Sequence, residues 1–356
     1  MSLQVSIRSA LRKIEVSAGL PRIYLRRIDG VVVLAYHGVA PADQITDPWV
    51  QSLHIAPEEL KRQLEFIQQH FRVIAVNDID RSIRGSSSRP SAVVTFDDGY
   101  RNFNEHALPV LESMSMPATL FITANNIEKQ KRHPAYICRA TIASLEPGGY
   151  DLDAIGERLV ISGTDRATAG NVIVEKVKTL PWGSAELLLD ELQGIFTPSQ
   201  LEEIDARYAT DAPMSWADVA EARRRGVTIG SHTLDHVVLG IQQPVPVIRA
   251  QVIDSRKLII ERTGECKYFA YPNGGRSDIC AAAVEAVEKA GYELAFTMVP
   301  GVVRTGLDRP RRFALPRLGV SANWDGFRKY VSTAWRHNTR YSEFALSLRG
   351  AEVMAG

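Results

Sequence analysis

The sequence is poor in the features that mark secreted, membrane-spanning and nucleic-acid-binding proteins. Three cysteines in 356 residues are too few and too scattered for a disulfide framework or a cysteine-rich zinc site. The formal net charge is +1, so no overall field attracts nucleic acid or an anionic surface. The N-terminus has no continuous apolar segment of the kind found in a secretory signal. We therefore expect a cytoplasmic protein with no nucleic-acid partner.

What the sequence does contain is a repeated alternation of short apolar runs and amphipathic helical patterns. Runs rich in β-branched and aromatic residues predict buried strands at 31–36, 92–96, 118–122, 227–230, 267–271 and 293–297. Between them, apolar residues recur at helical spacing, as at Leu60, Leu64 and Ile67. This alternation predicts an α/β protein with a mostly parallel sheet, either a closed barrel or an open doubly wound sheet.

Three segments flank or interrupt the alternation. Residues 1–30 predict an N-terminal helical extension, and residues 126–213 predict a largely helical insertion between consecutive units of a barrel that spans 31–322. Residues 323–356 predict a C-terminal helical extension, in which Trp324, Phe327, Val331 and Trp335 recur at helical spacing. We expect that apolar stripe to pack against the barrel.

Polar residues follow four of the predicted strands. They are His37, the pair Asp97-Asp98, His232 with His236 four residues later, and the turn at 272–275. The carboxyl ends of parallel strands in a barrel open on one face, where active sites are built. Residues that are far apart in the sequence are therefore predicted to converge.

Asp97 and Asp98 can play different roles because neighbouring side chains on a strand diverge. One carboxylate can bind a metal while the other reaches a water molecule. Taken alone, Asp-Asp-Gly is more typical of a turn that closes a strand.

His232 and His236 are spaced i, i+4, so on a helical turn they would share a face and could chelate one ion. Because the chain has eight histidines, the alternative that these two are unrelated surface or core residues is equally good. Two imidazoles and one carboxylate together form an open site for one divalent transition metal, with zinc as first choice and cobalt, nickel or iron as alternatives. Such a metal beside a free carboxylate base can hydrolyse an unreactive amide.

Two motifs resemble those of a known family. TFDDGYRNF (95–103) and SHTLDH (231–236) are similar to the first two motifs of the NodB-homology polysaccharide deacetylases, carbohydrate esterase family 4. YHGV (36–39) and FAYPNGG (269–275) resemble the subgroup that acts on exopolysaccharide and capsule glycans. The resemblance implies a distorted (β/α) barrel and metal-dependent removal of N-acetyl groups from N-acetylhexosamine. It also implies that Asp97 is the general base and that Asp98, His232 and His236 are the metal ligands.

The sequence departs from the family pattern in three places, since the arginine of the third motif, the tryptophan-containing fourth motif and the late Leu-x-His are missing. His37 is our candidate for the general acid, because the other non-ligand histidines do not follow strands; the alternative is a turn-capping residue. Arg317 can pair with Asp97, or can be an ordinary surface arginine. Tyr271 and the turn after it can place a backbone N–H at the oxyanion, or simply connect a strand to a helix.

Other functions stay open at this point. The chain could be a metal amidohydrolase that acts on a small non-carbohydrate amide, or an inactive glycan-binding or scaffold protein. The intact Asp97, Asp98, His232 and His236 argue against an inactive protein. The expected partner is an N-acetylated glycan or a lipid- or nucleotide-linked sugar precursor, the precursor being favoured by the missing secretion signal. Peripheral contact with a membrane or with polysaccharide-synthesis enzymes is a further expectation.

Overall fold

The fold is described from a computed structural model over residues 24–85, 89–162, 165–304 and 309–348. Its central feature is a curled sheet in strand order β10-β1-β3-β4-β7-β8-β9, in which β2 flanks β3. All of these strands pair in parallel. The strands are β1 (Val31–Tyr36), β2 (Arg72–Val73), β3 (Ser91–Phe96), β4 (Ala118–Ile122), β5 (Gly148–Leu152), β6 (Glu157–Ile161), β7 (Thr228–Ser231), β8 (Tyr268–Ala270), β9 (Leu294–Phe296) and β10 (Leu318–Gly319).

The sheet curls far enough for its two ends to be joined through one short segment. The N–H of Leu315 donates to the carbonyl of Ala295 in β9 at 2.8 Å, and the N–H of Thr297 donates to the carbonyl of Leu315 at 2.8 Å. Three residues later, Leu318 of β10 pairs with Leu34 of β1. The predicted distorted (β/α) barrel is confirmed.

The helices of the described residues are α1 (Pro57–His70), α2 (Ile79–Arg84), α3 (Leu108–Ser113), α4 (Ala124–Lys129), α5 (Pro134–Ser144), α6 (Arg166–Thr179), α7 (Trp182–Gly194), α8 (Pro198–Arg207), α9 (Trp216–Arg224), α10 (Val245–Thr263), α11 (Ala281–Lys289), α12 (Arg309–Arg312), α13 (Trp324–Ser332) and α14 (Asn338–Ser347). Helices such as α1, α9 and α10 pack on the outer face of the sheet in the main core. Ser215 and Asp218 form a capping box at the start of α9, as their spacing predicts.

Strand alternation determines which side chains enter the barrel. On β3, Ala92 and Val94 pack outward in the main core beneath the helices, whereas Val93 belongs to a separate inner cluster. Because successive side chains of a strand point to opposite faces, Thr95 and Asp97 continue the inner row that contains Val93. Asp97 therefore enters the carboxyl end of the barrel interior.

The segment 126–213 contains more than helices. Helices α5 to α8 are accompanied by an antiparallel hairpin of β5 and β6, paired from Gly148 opposite Ile161 to Leu152 opposite Glu157. This hairpin was not predicted from the sequence, because its first strand holds two glycines and an aspartate, residues that are rare in strands. The hairpin and helices share an apolar cluster of their own, which includes Ile142, Leu159 and Leu188.

The segments at the two ends of the chain pack on the main core where they are described. Phe327 and Val331 of α13 and Phe344 of α14 are buried in it, and so are Leu25 and Ile28 before β1. Most of the predicted N-terminal helical extension, residues 1–23, lies outside the described residues. Within the described ranges, no helix combines the length and apolarity needed to cross a membrane.

Candidate active site

Asp98, His232 and His236 bring three ligand atoms together at the carboxyl end of the sheet. Asp98 Oδ1 lies 3.2 Å from His236 Nε2 and 3.5 Å from His232 Nε2. Ligand atoms of all three residues lie within 4.8 Å of one another, and no other group of three His, Cys, Asp or Glu residues does so in the part of the chain that is described. The site is therefore compact enough to hold one ion.

Left-handed backbone conformations, and not a helix, position these ligands. His232 and His236 lie on a loop after β7, in which Thr233 and His236 have φ of 70° and 60°. The two histidines therefore approach each other on a loop and not on a helical turn. Asp98 has φ of 77°, which turns the chain so that Asp97 and Asp98 both face His232. Each such non-glycine residue costs about 1–3 kcal/mol, a strain that clusters at functional sites.

The hydrogen bond behind His232 determines which ring nitrogen faces Asp98. His232 Nδ1 lies 2.7 Å from the carbonyl oxygen of Ala270, which can only accept, so Nδ1 carries the proton. Nε2 therefore presents a lone pair to Asp98, whose buried Oδ1 has no hydrogen-bond partner among the described residues. Burial lowers the pKa of His232 to about 4, so at neutral pH no proton fills the gap between the two lone pairs. An anionic oxygen facing neutral imidazole nitrogens is a donor set that fits a divalent metal ion.

Asp98 is held in its charged form. Burial by itself raises the pKa of Asp98, but His133 and His236 lower it more, and the net pKa lies well below its usual value. An ionised carboxylate beside a neutral imidazole is the protonation state that metal binding needs.

Arg317 forms a buried, bidentate ion pair with Asp97. Its Nη1 and Nη2 donate to Oδ1 and Oδ2 of Asp97 at 2.7 and 2.8 Å. It also donates to Thr95 Oγ1 at 3.2 Å and to the carbonyl of Thr297 at 3.1 Å, so the guanidinium is fixed from several sides. Burial raises the pKa of Asp97, but Arg317 lowers it more, and the net pKa is below its usual value. Asp97 is thus an oriented, ionised carboxylate, with Oδ2 3.9 Å from His232 Nε2.

His37 lies at the same end of the sheet as these residues. It follows Tyr36, which pairs with Phe96 in the register of β1 and β3, so His37 is the cross-strand neighbour of Asp97. The half-buried His37 is close enough to Asp97 and Asp98 that a positive charge on its ring lowers the pKa of both. The structure therefore places an imidazole that solvent can reach beside the carboxylate pair.

Tyr271 itself has no unused donor for an oxyanion, so the backbone N–H predicted at Tyr271 or in the turn after it must come from the turn. Its N–H donates to the carbonyl of Phe296 at 3.0 Å and its hydroxyl to the carbonyl of Phe313 at 2.8 Å. Both donors are used in joining β8 to its neighbours, which is a structural role. In the turn that follows, the N–H of Asn273 has no hydrogen bond among the described residues, and Asn273 lines a small cavity together with His236.

Three residues at the site escaped the sequence analysis. The buried ring of His133 lies edge-on to His236 at 5.2 Å between ring centroids and 5.3 Å from Tyr100. Both nitrogens of His133 lack hydrogen-bond partners among the described residues. Burial and the nearby charge of Asp98 raise the pKa of Tyr100 well above its usual value, and His54 packs on Tyr100 at 5.2 Å. His54 and His133 do not follow strands, so their spacing gave no signal, whereas Tyr100 lies within the TFDDGYRNF motif but had no role assigned to it.

Part of the sequence that forms this site matches a known protein family. Residues 84–158 and 193–295 match the profile of the family described as "Polysaccharide deacetylase", and the two stretches make up half of the chain. They contain Asp97, Asp98, His232 and His236. The chain belongs to the polysaccharide deacetylase family. The predicted resemblance is confirmed, and the chain is a carbohydrate deacetylase.

His37 and Arg317 lie outside the stretches that match this deacetylase family. A search of curated protein sequences finds no match to the chain. The roles of these two residues are therefore argued from their positions in this structure.

Solved structures share the fold of this deacetylase. IcaB from Ammonifex degensii is 19% identical with a TM-score of 0.54, over 86% of this chain and 97% of IcaB. The deacetylase PplD of Streptococcus pyogenes, solved with acetate, is 14% identical with a TM-score of 0.54, over 86% of this chain and 99% of PplD. At these identities the likeness supports the fold alone.

Proposed function

We propose that this deacetylase is a metal-dependent hydrolase that removes N-acetyl groups from an N-acetylhexosamine-containing glycan or glycan precursor. One observation carries the proposal: the carboxylate of Asp97, held by Arg317, lies next to three convergent metal-ligand atoms. A divalent metal at Asp98, His232 and His236 would supply a Lewis acid that polarises the acetyl carbonyl and acidifies water. Zinc suits this set of two imidazoles and one carboxylate best, and cobalt, nickel or iron can also bind it.

Asp97 is the proposed general base. Its ionised state is maintained by Arg317, and each carboxylate oxygen keeps a lone pair beyond the one that accepts from the guanidinium. A carboxylate in this position can accept the proton of the water that attacks the acetyl carbon. Because Arg317 binds both oxygens, the carboxylate does not need to reorient during the reaction.

His37 is the proposed general acid. Amide hydrolysis expels a poor leaving group, so a proton must reach the amine nitrogen as the tetrahedral intermediate collapses. His37 is half-buried at the mouth of the site and neighbours Asp97 across β1 and β3. The N–H of Asn273 is the proposed donor to the oxyanion, since it is not used elsewhere in the described structure.

The substrate proposal includes both polymers and precursors. Lipid- and nucleotide-linked sugars present the same N-acetyl group as a polymer does, and we keep the cytoplasmic precursor as our prediction. A metal amidohydrolase acting on small non-carbohydrate amides is the second candidate, since the centre itself fits any amide.

Mass spectrometry of candidate substrates tests the proposal. The zinc-loaded protein should remove one acetyl mass from an N-acetylglucosamine oligomer or from a nucleotide-linked N-acetylhexosamine. The same protein treated with a chelator, and Asp97→Asn with metal bound, should leave both unchanged. Hydrolysis of simple acetamides without any loss of acetyl from sugars would favour the second candidate.

A further inference from the structure

A cavity of about 320 Å³ lies beside the metal-ligand loop. Pro134 and Trp182 line it, and both also line the small cavity that contains His236 and Asn273. The two cavities are therefore neighbours, with Trp182 at their junction. Trp182 belongs to residues 159–192, which the family profile does not match, so this part of the cavity is a feature of this chain's insertion.

One face of α7 forms a wall of the larger cavity. Trp182, Glu186 and Asp190 are spaced by four residues, so they lie on the same side of the helix, and all three line the cavity. Asp235, which precedes the metal ligand His236, lines it from the other side. Three carboxylates and an indole ring thus surround one space.

The cavity carries excess negative charge. Two basic residues line it, and one of them, Arg132, is paired with Asp205 at 3.2 Å. The other, Lys131, carries one positive charge, whereas Glu186, Asp190 and Asp235 carry three negative charges. Partial burial and the nearby charges of Asp235 and Asp190 raise the pKa of Glu186, although Lys131 and Lys129 act in the opposite direction. A cationic group bound between the three carboxylates would be attracted by their charges.

A buried polar group supplies independent support for a ligand here. Asn126 is 3% exposed and lines the cavity, yet its Nδ2 has no hydrogen-bond partner among the described residues. A buried donor without a partner is costly, so the cavity suits a ligand that brings an acceptor oxygen. Trp182 adds an apolar surface on which a sugar ring can rest.

Hydrogen bonds fix this wall relative to the metal-ligand loop. The buried Gln243 accepts from the N–H of Trp182 at 2.8 Å and donates to the carbonyl of Leu180 at 3.0 Å. Gln251 holds Asp235 through a bond of 2.7 Å from Nε2. These bonds hold Trp182 and Asp235, which line the cavity, in place relative to the metal-ligand loop.

We propose that this cavity is a subsite for a hexosamine unit whose amine is free and protonated, next to the N-acetylhexosamine that is being deacetylated. The ammonium group binds Glu186 and Asp190, a ring oxygen or hydroxyl accepts from Asn126, and the sugar ring packs on Trp182. This inference rests on the proposed function and applies to those of its substrates, polymer or lipid-linked, that contain more than one hexosamine unit. Its consequence is that a partly deacetylated chain is a better substrate than a fully acetylated one.

The test compares two β-linked N-acetylglucosamine tetramers, one fully acetylated and one with a single free amine. Wild-type enzyme loaded with zinc should show a kcat/KM about tenfold higher for the tetramer with the free amine, as expected of charge-assisted hydrogen bonds at a partly exposed site. The double variant Glu186→Gln with Asp190→Asn should bring the ratio close to one. Glu202→Gln removes one charge from the exposed face of α8 and should keep the wild-type ratio.

Equilibrium binding of a fully deacetylated glucosamine tetramer separates this inference from the proposed function. The tetramer should bind the wild-type protein about tenfold more tightly than it binds the double variant, with or without turnover. If that difference is found but no N-acetylated sugar is hydrolysed, the subsite stands and the proposed function fails. If sugars are deacetylated but the wild type shows neither the preference nor the binding difference, the subsite is refuted and the proposed function stands.

Discussion

Replacing Arg317 by methionine separates the Asp97 carboxylate from its buried partner. Methionine is of similar length and apolar, so it fills much of the same space without a charge. The change removes the two bonds of 2.7 and 2.8 Å to Asp97 and the bond to the carbonyl of Thr297. Arg317 is fully buried and Asp97 is 2% exposed, so solvent cannot replace these bonds.

The expected loss of stability follows from that burial. Removing one partner of a buried ion pair costs about 3–5 kcal/mol, mostly because the other charge is left uncompensated. Combining Arg317→Met with Asp97→Asn removes the stranded charge as well, so the double variant should recover more than half of the loss. Arg317→Lys, which keeps the charge but not the bidentate geometry, should lie between wild type and Arg317→Met.

The ionised Asp97 carboxyl affects the free energy of unfolding with opposite sign in the wild type and in Arg317→Met. In the wild type the pKa of Asp97 lies below its usual value, so the pair stabilises the protein above about pH 4 and that stability is lost as the pH falls through the folded-state pKa. In Arg317→Met, burial without the guanidinium raises the pKa of Asp97, so the carboxyl destabilises the fold once it ionises. The stability deficit of the variant should therefore be largest at neutral pH and shrink towards pH 4.

Urea denaturation at several pH values and a pH profile of kcat/KM are the assays. In Arg317→Met the acid limb of the profile should move to higher pH, and kcat/KM at neutral pH should fall about 10²-fold. Equal denaturation midpoints for wild type and Arg317→Met at pH 7, together with an unmoved acid limb, would refute the reasoning. Should Arg317→Met fail to fold, Arg317→Lys carries the same test with smaller shifts.

Three further predictions address other residues of the site. Replacing Asp98, His232 or His236 by alanine should lower the metal content of the protein below the value of about one ion per chain expected for the wild type, as measured by elemental analysis. Unchanged metal content in all three variants would exclude the assigned ligands. His37→Ala should keep its metal but lose turnover on an N-acetyl sugar about 10²-fold or more, and lose much less on an activated acetate ester, whose leaving group needs no proton; equal losses would remove His37 as the acid. Tyr271→Phe should cost about 1–3 kcal/mol of unfolding free energy by leaving a buried carbonyl unpaired, with kcat nearly unchanged; a large fall in kcat at normal stability would return Tyr271 to the mechanism.

Much of the site could be predicted because parallel strands place their carboxyl ends together. That rule locates His37, Asp97 and His232 at one end of the sheet from strand patterns alone. It depends only on strand direction and alternation, and both are visible in the sequence. The family motifs added the prediction that Asp98 binds the metal and that Asp97 acts as the base.

The rest could not be predicted because it depends on the path of loops. His54 and His133 reach the site from segments whose course no periodicity describes, and His133 lies at the start of the insertion. Asp98 and His236 have left-handed conformations. Neither residue type indicates a positive φ in the sequence in the way that glycine does. Arg317 had two equal interpretations, since a contact across 220 residues depends on how the sheet curls.

The central claim is that Asp98, His232 and His236 hold a metal on which deacetylation depends. The most direct measurement is acetate release from an N-acetylglucosamine oligomer as zinc is titrated into the metal-free protein. Release should be absent without metal, rise in proportion to added zinc and level off at about one equivalent per chain, with no such rise for Asp98→Ala. Full acetate release by the metal-free protein, or an unchanged titration in Asp98→Ala, would contradict the account.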